Sequence, residues 1–261
     1  MKKLFKGLLV LFLAVLLTGC GDSDDNEAIA SGEDVDGDKE VLKMATSADF
    51  PPFETRDTDG NFEGFDIDLA HLIAEELGYE LEIEDMKFDG LIGSLQAGRV
   101  DFVMSGMSAT EDRKKNVDFS HEYHRSGEMF LSLEDDAFDD LESLEGKVVG
   151  VQLGTIQEEG AETLQEEYDF DIKKLDDSTI LIQELLSKRI DFAYMDKQVA
   201  LGYMDAQDLF GTDDPTTVSP GMGVAFPKGS DLVDNVNEIL EAFEEDGTLE
   251  ELRDKWLKDE E

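Results

Sequence analysis

The chain has 261 residues, and 65 Asp and Glu stand against 22 Lys and Arg, a formal net charge of −43. That balance excludes nucleic acid as a partner, because a phosphate backbone is held by clustered Lys and Arg. One cysteine and three histidines exclude a disulfide framework and a Cys/His metal cluster, and a 40% hydrophobic content excludes wholesale disorder. No Gly-x-Ser-x-Gly elbow, P-loop or Gly-x-Gly-x-x-Gly fingerprint is present, so no cofactor is expected.

Lys2, Lys3 and Lys6 precede an apolar run from Leu8 to Leu17. Such a run suits a signal-peptide core and is too short for a bilayer of ~30 Å. It ends in Leu17-Thr18-Gly19-Cys20, which resembles the lipobox of bacterial lipoproteins. The resemblance implies a signal peptide over residues 1–19, cleavage before Cys20 and acylation (palmitate or a similar chain) of its thiol; the alternative is an ordinary secretory signal with an accidental cysteine. Two or more acyl chains anchor a protein stably, which would place it at the cell membrane on the extracytoplasmic face. Residues 20–40 are Asp, Glu, Ser and Gly with few apolar side chains, an acidic flexible tether.

Strand and helix patterns then alternate. Val41–Thr46 alternates apolar and polar as a strand does, and Asp57–Asn61 is a turn cluster. Phe65–Leu77 carries an apolar face ended by Gly78, which predicts a helix. Leu81–Met86 reads as a strand, Leu91–Ala97 as a helix and Val100–Met104 as a buried strand. Lys147–Val151 predicts a strand, Thr155–Tyr168 and Ile180–Ser187 helices, and Ile190–Met195 a strand. Gly223–Phe226 is a short strand, and Leu232–Phe243 and Leu249–Leu257 close the pattern as helices. The alternation argues for α/β layers with mostly parallel sheets, in two successive sets.

Seven motifs stand in order along this pattern. They are Thr46-Ser-Ala-Asp-Phe-Pro-Pro-Phe53, Gly64-Phe-Asp-Ile-Asp-Leu-Ala70, Phe88-Asp-Gly-Leu-Ile92 with Ala97-Gly-Arg-Val-Asp101, Ser105-Gly-Met-Ser-Ala-Thr-Glu-Asp-Arg113, Val117-Asp-Phe-Ser120, Gly146-Lys-Val-Val-Gly-Val-Gln-Leu-Gly-Thr155, and the block from Ile190 to Asp196. With the terminal Lys255-Trp256, the set resembles the family-3 extracellular solute-binding proteins, the amino-acid receptors of bacterial ABC importers. The resemblance covers Val41 to about Leu257. It implies a two-lobe α/β fold of the periplasmic-binding-protein type II (Venus-flytrap) class with two crossing hinge strands. Lobe 1 would take residues 41–127 and 222–261, lobe 2 residues 128–221, with hinges near Ser126–Phe130 and Ser219–Gly223.

The same resemblance implies the ligand residues. Arg113 matches the family's carboxylate-binding arginine, and a guanidinium forks onto a carboxylate at any working pH. The competing reading is a surface arginine paired with Glu111 or Asp112. Asp196 matches the ammonium acceptor, at the end of an apolar strand where open α/β sheets place ligand groups. Ser105, Gly106 and Ser108 match first-lobe partners, and Gly154 and Thr155 second-lobe ones, Thr155 also opening a predicted helix whose N–H groups favour a carboxylate. Simple capping explains the hydroxyls equally well. Phe50 and Phe88 match the aromatic pair around the ligand's side chain, against the alternative of plain core. Two departures bear on specificity: Ser47 stands where relatives that grip basic or amide side chains carry Asp, and Ile156 stands where many carry Thr. Gln152 and Gln157 lie close enough in the alignment to compensate. Gln, Arg and Lys all remain open as ligands.

His121-Glu-Tyr-His124 lacks the spacing and third ligand of a metal site. The Asp57-x-Asp59-x-Asn61 run lacks the glycine and closing glutamate of a calcium loop. Acid runs such as Glu134-Asp135-Asp136 and Asp259-Glu260-Glu261 read as solvated faces, and their density suggests a protein adapted to brine, where salt screens self-repulsion. The expected protein is a lipid-anchored monomer, not an enzyme, that binds a polar amino acid outside the cell and passes it to an ABC permease. Two rivals are an enzyme like cyclohexadienyl dehydratase on the same fold, and an amino-acid sensor module, which a transmembrane helix usually follows.

Overall fold

The computed structural model describes residues 40–257 except 135–137 and 139. Residues 1–39, which hold the expected signal peptide, Cys20 and the expected tether, lie outside the described residues, as do the acidic residues 135, 136 and 259–261. The chain opens with β1 (Val41–Thr46), a hairpin of β2 (Thr55–Arg56) and β3 (Phe62–Glu63), α1 (Phe65–Leu77), β4 (Glu80–Asp85), α2 (Leu91–Gln96), β5 (Phe102–Val103) and β6 (Val117–His124). It continues through β7 (Glu128–Ser132), β8 (Val148–Gln152), α3 (Ile156–Gln165), β9 (Asp171–Leu175), α4 (Ser178–Leu186), β10 (Phe192–Asp196), α5 (Lys197–Gln207) and β11 (Phe210–Asp213). It returns through β12 (Met222–Pro227) and ends in α6 (Leu232–Asp246) and α7 (Thr248–Trp256).

Two five-stranded sheets result, ordered β4-β1-β5-β12-β6 and β11-β7-β10-β8-β9. The chain passes from the first sheet to the second between β6 and β7, and back between β11 and β12. The sheets are mixed, where the alternation of elements predicts mostly parallel ones. β1 pairs in parallel with β4 and β5, and β8 with β9 and β10. β12 runs antiparallel to β5 and β6, and β7 antiparallel to β10 and β11. The reason is connectivity: β7 and β12 enter their sheets directly from the other sheet, without the helical crossover that a parallel neighbour demands.

Local chemistry sets the elements that matter for the site. In α1, Ile67, Leu69, Ala70, Ile73 and Ala74 are buried on one stripe, and Gly78 (φ 79°) closes the helix in the left-handed conformation. The terminal helices are tied onto this layer. Trp256 Nε1 donates to Asp68 at 2.7 Å, Lys255 pairs with the same carboxylate at 2.6 Å, and Arg253 donates to the Tyr123 carbonyl at 3.1 Å. In the second sheet, Phe130 stacks on Tyr194 (4.2 Å) and Phe138 (4.8 Å) within a core that includes Val149, Val151 and Phe192.

Candidate functional site

A small cavity lies between residues of the two sheets. The first sheet's side supplies Asp49, Phe50, Phe88, Gly106, Ser108, Arg113 and Met222. The second supplies Gln152, Thr155, Ile156, Gln157 and Asp196, at the carboxyl ends of β8 and β10, where ligand crevices of α/β sheets form.

Arg113 crosses the gap. One guanidinium nitrogen donates to the Ser108 carbonyl at 2.8 Å and the other to the Gly154 carbonyl at 2.9 Å, so it touches both walls. Its plane lies 5.3 Å from the Phe88 ring centroid. Burial pushes its pKa down to about 10, against the pull of Glu159, so it stays charged at neutral pH. The acids beside it in sequence are taken by others: Glu111 pairs with Lys114 at 3.0 Å and Asp112 with Lys115 at 2.5 Å. Arg113 is therefore aimed inward, at 7% exposure.

Asp196, 2% exposed, is the N-cap of α5 and accepts from the Gln198 N–H at 2.8 Å and from Ser126 Oγ at 3.0 Å. Its ladder partner is Glu128, whose carboxyl is pushed up to about 9 by burial first and then by the charge of Asp196. Gln157 Nε2 donates to Glu128. Thr155 caps α3, accepting from the Glu158 N–H at 3.2 Å while its hydroxyl donates to the Gln152 carbonyl at 2.7 Å. Capping and cavity-lining thus coincide in both residues.

Ser47, Ser105 and Gly154 do not line the cavity: the two serines are buried behind it and Gly154 is exposed at its edge. Ser105 Oγ donates to Glu54 at 2.8 Å and accepts from the Ser47 N–H at 3.0 Å. Asp66 accepts from the Gly106 N–H at 2.7 Å and from the Tyr123 hydroxyl at 2.8 Å. Burial raises both carboxyls, that of Asp66 to about 6 and that of Glu54 well above its usual range. Gly106 (φ 52°) faces Phe50 so closely that a Cβ would lie 2.9 Å from the ring. Gly154 (φ 80°) is where the walls meet: a Cβ there would lie 3.1 Å from Asp89 Cα.

The residues that pattern reading passes over are Asp49, Met222 and, behind the wall, Glu54 and Asp66. Asp49 stands two places after Ser47 in the same motif, and its burial is the missing signal. The histidines sit apart from the cavity: His121 Nδ1 pairs with Glu241 at 3.3 Å, and His124 packs on Phe53 and Phe65. Asp57 accepts from the Asp59 and Asn61 N–H groups, both at 2.8 Å, in the β2–β3 turn. Among the described residues no group of three His, Cys, Asp or Glu is placed to hold a metal.

Two sheets joined by two passages, with a charged cavity between them, define a two-lobe binding protein of the periplasmic-binding-protein type II class. The sequence profile of the bacterial extracellular solute-binding proteins, family 3, matches residues 42–259, and the chain belongs to that family. It is 41% identical over 260 residues to the arginine-binding extracellular protein ArtP of Bacillus subtilis (strain 168), with 98% of each chain covered. The solved structure of an ancestral arginine-binding protein bound to arginine is similar at 37% identity and a TM-score of 0.78, covering 84% of this chain and 99% of that one. An ancestral amino-acid-binding protein described as a precursor of cyclohexadienyl dehydratase is similar at 37% identity and a TM-score of 0.78, covering 84% and 96%. Among the described residues no helix is long and apolar enough to cross a membrane.

Proposed function

We propose that this chain is the extracytoplasmic receptor of an amino-acid ABC importer, binding one polar amino acid between its lobes and handing it to the membrane permease. The observation that carries this reading is Arg113, a buried cation that lines the cavity and contacts both walls. The ligand's carboxylate would take the guanidinium and the N–H groups at the start of α3, and its ammonium would take Asp196. Ser108, Thr155, Gln152 and Gln157 offer further polar contacts, with Phe50 and Phe88 beside the side chain. Ser47, Ser105 and Gly154 would act by holding those groups in place. Only the closed form gains contacts from both walls, so ligand shifts the population toward closure.

In this reading lobe 1 is 41–127 with 222–261, lobe 2 is 128–221, and the hinges fall near Ser126–Phe130 and Ser219–Gly223. The protein works as a monomer, held to the membrane through lipid on Cys20. No bond is made or broken; the dehydratase alternative would instead consume its ligand and release product. The excess of acid suits life in brine, and melting would then rise between about 0.1 and 2 M NaCl beyond the rise of a neutral control.

A thermal-shift panel of the twenty amino acids tests the reading. One or a few should raise the melting temperature, by RT ln(1 + [L]/Kd) in stability, and mass spectrometry should recover them unchanged. Arg113→Ala should abolish the shifts, at least about 100-fold in affinity for a lost charged pair. Full affinity in Arg113→Ala would sink the site.

A further inference from the structure

Three ionisable side chains line the cavity: Arg113, Asp196 and Asp49. If the ligand is an amino acid, as proposed above, its carboxylate answers Arg113 and its ammonium answers Asp196. Asp49 is then left over, a carboxylate in the wall with no charge of the ligand's backbone to meet it. A charged group taken from water needs an opposite charge or a full set of donors.

Among the described residues Asp49 has donors around it but no ion pair, and Lys87 acts on it only through its charge. Ser47 Oγ donates to Oδ1 at 2.9 Å, and Oδ2 accepts from Gln152 Nε2 at 3.2 Å and from the Ser178 N–H at 3.0 Å. A carboxylate has about four acceptor sites, so one remains for a group inside the cavity. The nearest lysine, Lys87, is half exposed and is held by Asp177 at 2.8 Å. Burial raises the Asp49 carboxyl, and Asp177 raises it further, while the Ser178 N–H, the Ser47 hydroxyl and Lys87 act the other way. Phe50 and Phe88 share the cavity, and aromatic faces favour a cation over a neutral polar group.

We infer that Asp49 selects the ligand's side chain, and that the chain takes a cationic amino acid whose guanidinium or ammonium group rests against this carboxylate. The assignment rests on the proposed function. It makes the cavity's net charge of −1 and a ligand charge of +1 balance. Asp49 also joins the two walls, through Gln152 and Ser178, but that role supports closure over any ligand alike.

Calorimetry with arginine and with citrulline, its neutral isostere, separates the two roles. The full-length protein should bind arginine about 10- to 100-fold tighter than citrulline, the range for one charged hydrogen bond. Asp49→Asn should bring the two within a few-fold of each other, chiefly by weakening arginine. Asp49→Glu, which keeps the charge, should retain a preference for arginine, and the unliganded melt of each variant reports folding. Equal loss of both ligands in Asp49→Asn, or no preference in the parent, would overturn the assignment while leaving an amino-acid receptor standing. If none of the twenty amino acids binds, the receptor reading itself falls, and this inference with it.

Discussion

The two walls of the cavity are built by different means. The first is braced from behind by buried carboxyls: Asp66 holds the Gly106 N–H and the Tyr123 hydroxyl, and Glu54 holds Ser105, which in turn holds the Ser47 N–H. The second is made of helix starts. Thr155 opens α3, Asp196 caps α5, and Ser178 begins α4, each just past the carboxyl end of a strand. A braced wall depends on groups that do not line the cavity, whereas a wall of helix starts carries its cavity-lining groups on the caps themselves. The first wall should therefore lose stability when its support is cut, and the second should lose affinity.

Asp196 gives the sharpest way to break that contrast. Asp196→Asn keeps an equally good cap but no charge, so affinity should fall by about 100-fold with the unliganded melt nearly unchanged. Asp196→Ala should add a loss of about 1 kcal/mol in stability. If both variants lost stability alike and kept affinity, Asp196 would be a cap and nothing more. On the braced wall, Asp66→Ala strands two buried donors and should cost about 2 kcal/mol of unliganded stability in chemical denaturation. A variant as stable as the parent would deny the bracing.

Glu128, the ladder partner of Asp196, ties stability to pH. Folding raises its carboxyl from about 4.5 to about 9, so between those values the folded chain holds a proton that the unfolded chain has lost. Stability from this group therefore falls as pH rises through that window. Glu128→Gln should gain stability over the parent as pH rises from 5 to 9, read as a widening gap between their melting temperatures. A gap independent of pH would show that Glu128 does not carry this proton.

Much of this was legible in residues. The Phe65–Leu77 stripe with Gly78 predicts α1 to the residue, and Val41–Thr46 predicts β1. Other elements were not. The strand β9 reads Asp-Ile-Lys-Lys-Leu, and its partner β8 imposes the pairing that its polar content hides. Helix α5 carries Gly202 at its centre, and its start is set by the Asp196 cap rather than by periodicity. Arg113 was legible as a motif residue, but its choice of the cavity over Glu111 and Asp112 depended on lysines that pair with those acids.

What the order of residues settled alone is much of the succession of strands and helices and the family they belong to, because local periodicity and caps are written within a few positions. The tertiary structure alone decided which polar side chains face the cavity. Asp49 reaches the cavity while the Ser47 hydroxyl turns to Asp49 and that of Ser105 to Glu54, although all three sit in motifs of the same kind. That division follows from burial. A side chain in a closed interior must bond to whatever its neighbours present, and those neighbours come from 58 positions away in one case and 129 in another.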